Sequence, residues 1–561
     1  FNSNVNPAVL YDVEATSASR VDLKFRTLRT SLGNKIFGGW QTSTAVEWGL
    51  WPYRDVSGNE WIIGLLGSTQ QRMTTGGASS HLSYGTSQGT ATITNGSTAV
   101  TIDGVDSMAT SQISAGDFIR CGSGVDSDYT EVATTNSAIS ITLTGNYGGT
   151  TCSDAAFLVR KMLAITSGVT YPSAAQLNGN FVLSEGGTSS EVPVVWDGTN
   201  QWYNSSIPNA RQFVAHKNRM FSCGDRANPG NISWSPVGWV STITWSSGAT
   251  EPIYSSDGFG EIINCVEWGD DLIVFKRYGM AYKITGDFGS SVIGTPDETV
   301  AFKIDETIGE IAIRGIAVHK GKIFILSKNG LFVSDGNRII RYSKSIDFYI
   351  RSANIDFSEF GPTTPNFLFL KSYNGNLYIS IARSLIILDE NDNFTINDAL
   401  PVGYAGNFVQ ISSAIYTGHT GTTRNILELE SGFTMQGGAN VSTVSFHYVS
   451  NDEYFGSPEL EKEFVDAHIL YRIINATTSQ NRFWFDYSIN EGLPISSNTT
   501  TTFFSSATLD SGGTVVNAIG YRNITIGRKG RSIKWRVREA GDTLGNEVFK
   551  VIITARPLAY R

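Results

Sequence analysis

Lys320-Gly321-Lys322-Ile323-Phe324-Ile325-Leu326 is a polar turn followed by a short apolar run, and the phrase returns along the chain. An apolar run of this length behind a turn reads as a buried strand leaving a hairpin. The other copies are Trp61-Ile62-Ile63-Gly64-Leu65, Phe181-Val182-Leu183-Ser184, Met220-Phe221-Ser222-Cys223, Leu272-Ile273-Val274-Phe275, Leu377-Tyr378-Ile379-Ser380 and Ile426-Leu427-Glu428-Leu429. Most follow similar turns: Asn178-Gly179-Asn180, Lys217-Asn218-Arg219, Gly269-Asp270-Asp271 and Asn374-Gly375-Asn376. Copies recur roughly every 40 to 55 residues, the spacing of propeller blades. Partner strands follow them, among them Val194-Val195-Trp196, Ile232-Ser233-Trp234, Leu331-Phe332-Val333 and Leu385-Ile386-Ile387. Two such hairpins make a blade, so the sequence predicts an all-β fold built on a six- or seven-bladed β-propeller.

The first gap is too long for one blade. Residues 85–163 are rich in Thr, Ser, Gly and Ala and carry little Lys or Arg before Arg160 and Lys161. Ala91-Thr92-Ile93-Thr94-Asn95-Gly96-Ser97-Thr98-Ala99-Val100 reads as a hairpin around an Asn-Gly turn, and Ile139-Ser140-Ile141-Thr142-Leu143 alternates as a strand does. Removing the segment restores the period, which makes it a small β module inserted into the propeller. The division is then residues 1–84 for N-terminal strands and the first blade, 85–163 for the insert and 164–440 for the remaining blades. Residues 441–561 form a C-terminal antiparallel sandwich-like domain, with strands at Ile469–Ile473, Arg482–Tyr487, Ile533–Arg538 and Val548–Ile553. Near the N-terminus, Val21, Leu23 and Phe25 alternate with charged residues, as in a half-buried strand. Ser457-Pro458-Glu459 has the capping pattern of one helical turn.

Charged residues are 17% of the chain and Gly numbers 58, a balance suited to many short strands and tight turns. A net charge of −9 argues against wrapping nucleic acid on the outer surface and suits a surface past which DNA must slide. Cys121, Cys152, Cys223 and Cys265 form no CxxC pair, so no structural zinc is expected. They read as buried thiols of a reducing compartment, and a Cys121–Cys152 disulfide within the insert stays open. No apolar run approaches the ~20 residues of a membrane span. Phe1-Asn2-Ser3-Asn4 lacks both an initiator Met and a signal-peptide core, which leads to the expectation of a cleaved or disordered leader.

Propellers include glycan hydrolases, so catalytic patterns matter. Trp196-Asp197-Gly198, Ser256-Asp257-Gly258 and Ser334-Asp335-Gly336 match only the Asp-Gly part of a sialidase box and read as hairpin tips. No arrangement points to a pair of catalytic carboxylates. His81, His216, His319, His419, His447 and His468 show no two-His metal spacing and no nucleophile elbow. His216 and His319 precede repeat phrases at like places and read as equivalent positions of two blades. Asp389-Glu390-Asn391-Asp392-Asn393 lacks the Gly and closing Glu of a calcium loop and reads as a solvated turn. No enzyme activity, cofactor or metal is expected.

Several phrases resemble the β-propeller tail proteins of tailed bacteriophages. They are Lys35-Ile36-Phe37-Gly38-Gly39-Trp40 with Gly58-Asn59-Glu60-Trp61, Asn180 to Trp196-Asp197-Gly198, and Ala210-Arg211-Gln212-Phe213-Val214-Ala215-His216. Asn231-Ile232-Ser233-Trp234-Ser235 with Trp239 or Trp245 continues the likeness, and so does Gly527-Arg528-Lys529-Gly530-Arg531-Ser532-Ile533 through Arg556-Pro557-Leu558. The 91–157 segment is similar to a small β module inserted in many phage virion proteins. The resemblance implies a nozzle or tail-hub subunit of a short-tailed phage (podovirus). That means a hexameric homo-oligomeric ring below portal and adaptor, in contact with tail fibres or other tail proteins and, transiently, with double-stranded DNA during ejection. It implies location in the virion tail after assembly in the host cytoplasm. The other reading is a receptor- or glycan-binding tail protein, suggested by 12 Trp and 22 Tyr. A secreted propeller hydrolase is a third, weakened by the missing signal peptide and active-site pattern. Lys534, Arg536 and Arg538 alternate along one strand behind Arg528, Lys529 and Arg531. Strong cationic contacts would hinder DNA exit, so this strip is expected at a protein interface.

Overall fold

The structure is a computed structural model. Runs of five or more residues outside its description are 1–14, 23–27, 41–46, 104–112, 164–171, 187–191, 240–244, 286–298, 303–307, 344–349, 351–367, 398–403, 420–424, 451–460, 476–481, 491–503, 509–515 and 541–546. Shorter gaps and residues 559–561 are also outside it. Leu23, Phe25, the 457–459 turn and Glu390 to Asn393 fall there. The elements that run along the described residues are β-strands.

Among the described residues, seven four-stranded antiparallel sheets form the blades, seven of the expected six or seven. Their first strands are Glu47–Arg54, Ser173–Leu177, Ala210–His216, Ile262–Trp268, Ile311–His319, Leu368–Tyr373 and Tyr404–Ile411. Their second strands are Glu60–Leu66, Asn180–Ser184, Arg219–Asp225, Asp271–Lys276, Lys322–Ser327, Asn376–Ile381 and Ala414–His419. Six of the seven repeat phrases lie on second strands. The seventh, Ile426 to Leu429, lies on a third strand, Asn425–Gly432. The true seventh copy is Ile415-Tyr416-Thr417, behind a Ser412-Ser413 turn.

The turns work by backbone conformation. Asn178, Lys217, Asn218, Lys320, Asn374 and Ser412 all hold φ between 46° and 55°. A two-residue hairpin with positive φ matches the twist of the strands it joins. Asn and Gly adopt that region readily; Lys and Ser do so at some cost, offset by the strand pairing on either side.

The seventh sheet runs Tyr404–Ile411, Ala414–His419, Asn425–Gly432 and then Gly33–Gly39, so its outer strand comes from near the N-terminus. Strands Ala15–Ser19, Val21–Asp22 and Leu28–Thr30 pair instead in the sheets of the C-terminal domain. The N-terminal segment is therefore shared out, and does not simply lead into the first blade.

The chain divides into two compact units, residues 1–36, 373–403 and 427–561 in one and 37–372 and 404–426 in the other. In the second unit, apolar residues fill the seams between neighbouring blades. Trp51, Tyr53, Phe181 and Trp196 pack between the first and second blades. Trp40, Leu50, Val409 and Ile426 pack between the seventh and first. Ser412 donates to Glu60 from both its backbone N–H (2.7 Å) and its hydroxyl (2.6 Å) across that same seam.

The insert is an eight-stranded sheet built from residues 84–160, with Thr90–Ile93 and Ala99–Asp103 paired around the Asn95-Gly96 turn. Ile93, Val100, Ile119, Val132, Ile141 and Phe157 form its core. All four cysteines are bonded, Cys121 to Cys152 inside the insert and Cys223 to Cys265 between the third and fourth blades. The expectation of free thiols is corrected here: packing within the insert core and between neighbouring blades brings the pairs to Cα separations, 6.0 and 6.5 Å, that a disulfide spans.

In the first unit, two five-stranded sheets face each other over Phe464, Ile469, Phe485, Ile533, Trp535 and Val548. This is the sandwich expected from residue 441 onward, completed by the N-terminal strands.

Candidate functional site

The first strands of all seven blades line one cavity of about 360 Å³, each contributing at least one residue: Trp51, Ser173, Gln212, Asn264, Arg314, Lys371 and Phe408. Its charged side chains are Glu267, Arg314 and Lys371. Arg314 donates through Nη2 to the Pro172 carbonyl at 2.6 Å, and its guanidinium stands 5.4 Å from the Phe369 ring centroid. Burial pushes it down to about 9, so it remains a cation at neutral pH. Asn264 donates through Nδ2 to the Ile313 carbonyl, which fixes the backbone beside Arg314. Burial likewise lowers Lys371, whose ammonium has no hydrogen-bond or ion-pair partner among the described residues.

His216 and His319 are equivalent, as the repeat suggested. Each ends a first strand and bonds through Nδ1 to the first strand of the following blade. His216 reaches Glu267 at 3.0 Å and His319 reaches Ser372 at 2.9 Å. Each ring lies beside a Phe of its own repeat phrase, Phe221 or Phe324. They join blades. The glycines of the Asp-Gly dipeptides hold the positive φ of turns, Gly198 at 97°, Gly258 at 79° and Gly336 at 85°; Ser256 and Asp257 lie outside the described residues.

A second polar centre lies where the insert meets the first two blades. Lys161 Nζ donates to Asp117 Oδ2 at 2.7 Å, with side-chain exposures of 2% and 0%. Tyr203 donates to the other carboxylate oxygen at 3.0 Å, and the Lys161 backbone N–H donates to Gln201 Oε1 at 3.1 Å. Gln201 Nε2 in turn donates to Gln70. Burial pushes the Lys161 ammonium down from its usual value, while the Asp117 charge and hydrogen bond oppose the shift. The network ties insert, first blade and second blade together.

The six basic residues singled out from the sequence lie on two strands of different sheets and on the turn between them. Arg528 and Lys529 end strand Val516–Gly530, Arg531 sits at the turn, and Lys534, Arg536 and Arg538 lie on Ser532–Ala540 in the other sheet of the sandwich. Arg528, Lys529 and Arg531 are exposed. Arg536 grips the buried Asp486 through Nε at 2.9 Å and Nη2 at 2.7 Å. Its role is thus internal to the domain. Sequence reading passed over Arg314 and Lys371. The available signal was a lone cation inside an apolar strand run, Ile311-Ala312-Ile313-Arg314 and Leu368-Phe369-Leu370-Lys371.

Among the described residues no group of three or more His, Cys, Asp or Glu could hold a metal, and no helix is long and apolar enough to cross a membrane. No protein-family model matches the sequence, and no curated protein does. Among solved structures, a streptogramin B lyase is similar with a TM-score of 0.39 and 8% identity, over 73% of this chain and 98% of that one. Virginiamycin B lyase from Staphylococcus aureus gives 0.33 and 10% over 72% and 98%. BamB from Moraxella catarrhalis gives 0.33 and 9% over 72% and 98%. Likenesses at this level say nothing of activity; the propeller stands on the chain's own seven sheets.

Proposed function

We propose that this chain is a structural subunit of a bacteriophage tail, the nozzle ring below portal and adaptor through which the genome leaves. The observation that carries the reading is the buried Lys161–Asp117–Tyr203–Gln201 network, which fastens the insert to two blades at once. A part that bears load during ejection needs its modules held in one geometry. A buried ion pair does this well, because breaking it leaves an uncompensated charge. The sequence phrases that resemble those of phage tail propellers support this particular position in the tail.

A cavity of about 360 Å³ suits a small molecule and not a duplex, so the DNA path belongs to the ring of subunits and not to the propeller axis. A net charge of −9 keeps phosphate from adhering to that path. Two disulfides suit a particle that persists outside the cell. The reading assigns no catalytic step to the chain. A glycan-binding tail protein would present aromatic faces to solvent; no Trp of described burial is exposed, and Tyr278 and Tyr521 are.

The test is a cryo-electron microscopy reconstruction of intact particles. Seven-bladed density in a ring coaxial with the portal is the expected result. The same density at fibre tips would overturn the nozzle assignment and put receptor binding first.

A further inference from the structure

The axial cavity holds an imbalance of charge that the nozzle reading does not use. Of its charged side chains, two are cations and one is a carboxylate, and that carboxylate, Glu267, is already bonded to His216. Arg314 is anchored by the Pro172 carbonyl and the Phe369 ring, so its position is fixed. Lys371 lies two residues along the same strand from Phe369, on the same face of the sheet, and lines the same cavity. Lys371 is half-buried, and a cavity lined by two cations and one already bonded carboxylate favours an anionic guest.

We propose that the axial cavity binds a small oxyanion, a carboxylate or a phosphate group, held between the Lys371 ammonium and the Arg314 guanidinium. Both groups favour oxyanions: the guanidinium as a planar fork, the ammonium as a compact charge. Ile316, Val318, Leu370 and Phe408 supply an apolar wall for the rest of the ligand. The volume of about 360 Å³ lies within the ordinary range of small-molecule sites and accommodates a single sugar acid or a free phosphate.

The experiment is calorimetric titration of the full chain at fixed ionic strength. The probes are galacturonate, inorganic phosphate and, as a neutral control with the same body, galactose. Saturable binding of galacturonate, of phosphate or of both supports the site and identifies which oxyanion it prefers. Lys371→Met should weaken that binding by roughly tenfold to a hundredfold, the loss of one charge-assisted hydrogen bond. The same variant should melt close to the wild type without ligand, since Lys371 is half-buried, and this shows that it folds. Arg314→Lys, which keeps the charge and loses the fork, should weaken binding less than Lys371→Met. No saturable binding of either anion, equal binding of galactose, or unchanged binding in Lys371→Met would overturn the proposal.

Discussion

Lys161 and Asp117 meet where water is excluded, and the cost of separating them sets the first prediction. Lys161→Met leaves the Asp117 carboxylate buried with Tyr203 as its remaining side-chain donor. Losing one member of a buried pair typically costs about 3–5 kcal/mol, to be read from denaturant unfolding. A change below about 1 kcal/mol would mean that the pair does not lock the insert in place. Gly336 gives a second test. It holds φ 85°, and a Cβ there would collide with the Trp268 ring of the preceding blade. Gly336→Ala should therefore lower the melting temperature through both strain and clash. Glu261 makes the stability pH-dependent. Burial works against its charge, but hydrogen bonds and charge from Arg211 (2.5 Å) and Arg277 (3.1 Å) outweigh that and hold its carboxyl below 4.5. A lowered carboxyl contributes stability above its unfolded pKa and loses it as pH falls through the folded value. The wild type should thus lose more stability than Glu261→Gln on acidification below pH 4.5. Parallel melting curves for the two would contradict the assignment.

At the scale of elements, the cross-blade disulfide and the sandwich hairpin are the parts to probe. Cys223 lies on the second strand of one blade and Cys265 on the first strand of the next, 42 residues away. Thiol titration of the unfolded, unreduced chain should find no free cysteine, and Cys223→Ser with Cys265→Ser should cost about 2–4 kcal/mol. Detection of four thiols would contradict the pairing. The sequence could not reveal this bond, because the contact arises from blade stacking and not from local spacing. Where turn chemistry was distinctive, as in Asn178-Gly179 or Lys320-Gly321, the second strands were legible to within a residue or two. Where the turn was Ser412-Ser413, with no Gly, Asn or Asp to mark it, the repeat was read one strand late. The basic strip shows a related limit of local pattern. Alternation showed which side of Ser532–Ala540 carries cations, but only the facing strand Arg482–Asn490 shows that Asp486 already occupies Arg536. For Arg314 and Lys371 the sequence offered a lone cation in an apolar run, but only the assembled blades show that both line one cavity.

For the whole molecule, the internal repeat was legible because each blade must bury its faces against neighbours, which imposes one pattern on every copy. The placement of the N-terminal strands was not, since pairing Gly33–Gly39 with the seventh sheet and Leu28–Thr30 with Glu547–Pro557 joins residues far apart in sequence. Both pairings tie the chain's beginning to its later parts, so deleting residues 1–39 should destabilise more than the loss of an ordinary flexible terminus. The central claim, a tail ring built from propeller subunits, concerns assembly, and the most direct measurement is native mass spectrometry of the purified chain mixed with portal–adaptor complexes. A closed ring that binds the complex at a fixed stoichiometry is the predicted result. A chain that stays monomeric or trimeric and ignores the portal–adaptor complex would contradict it.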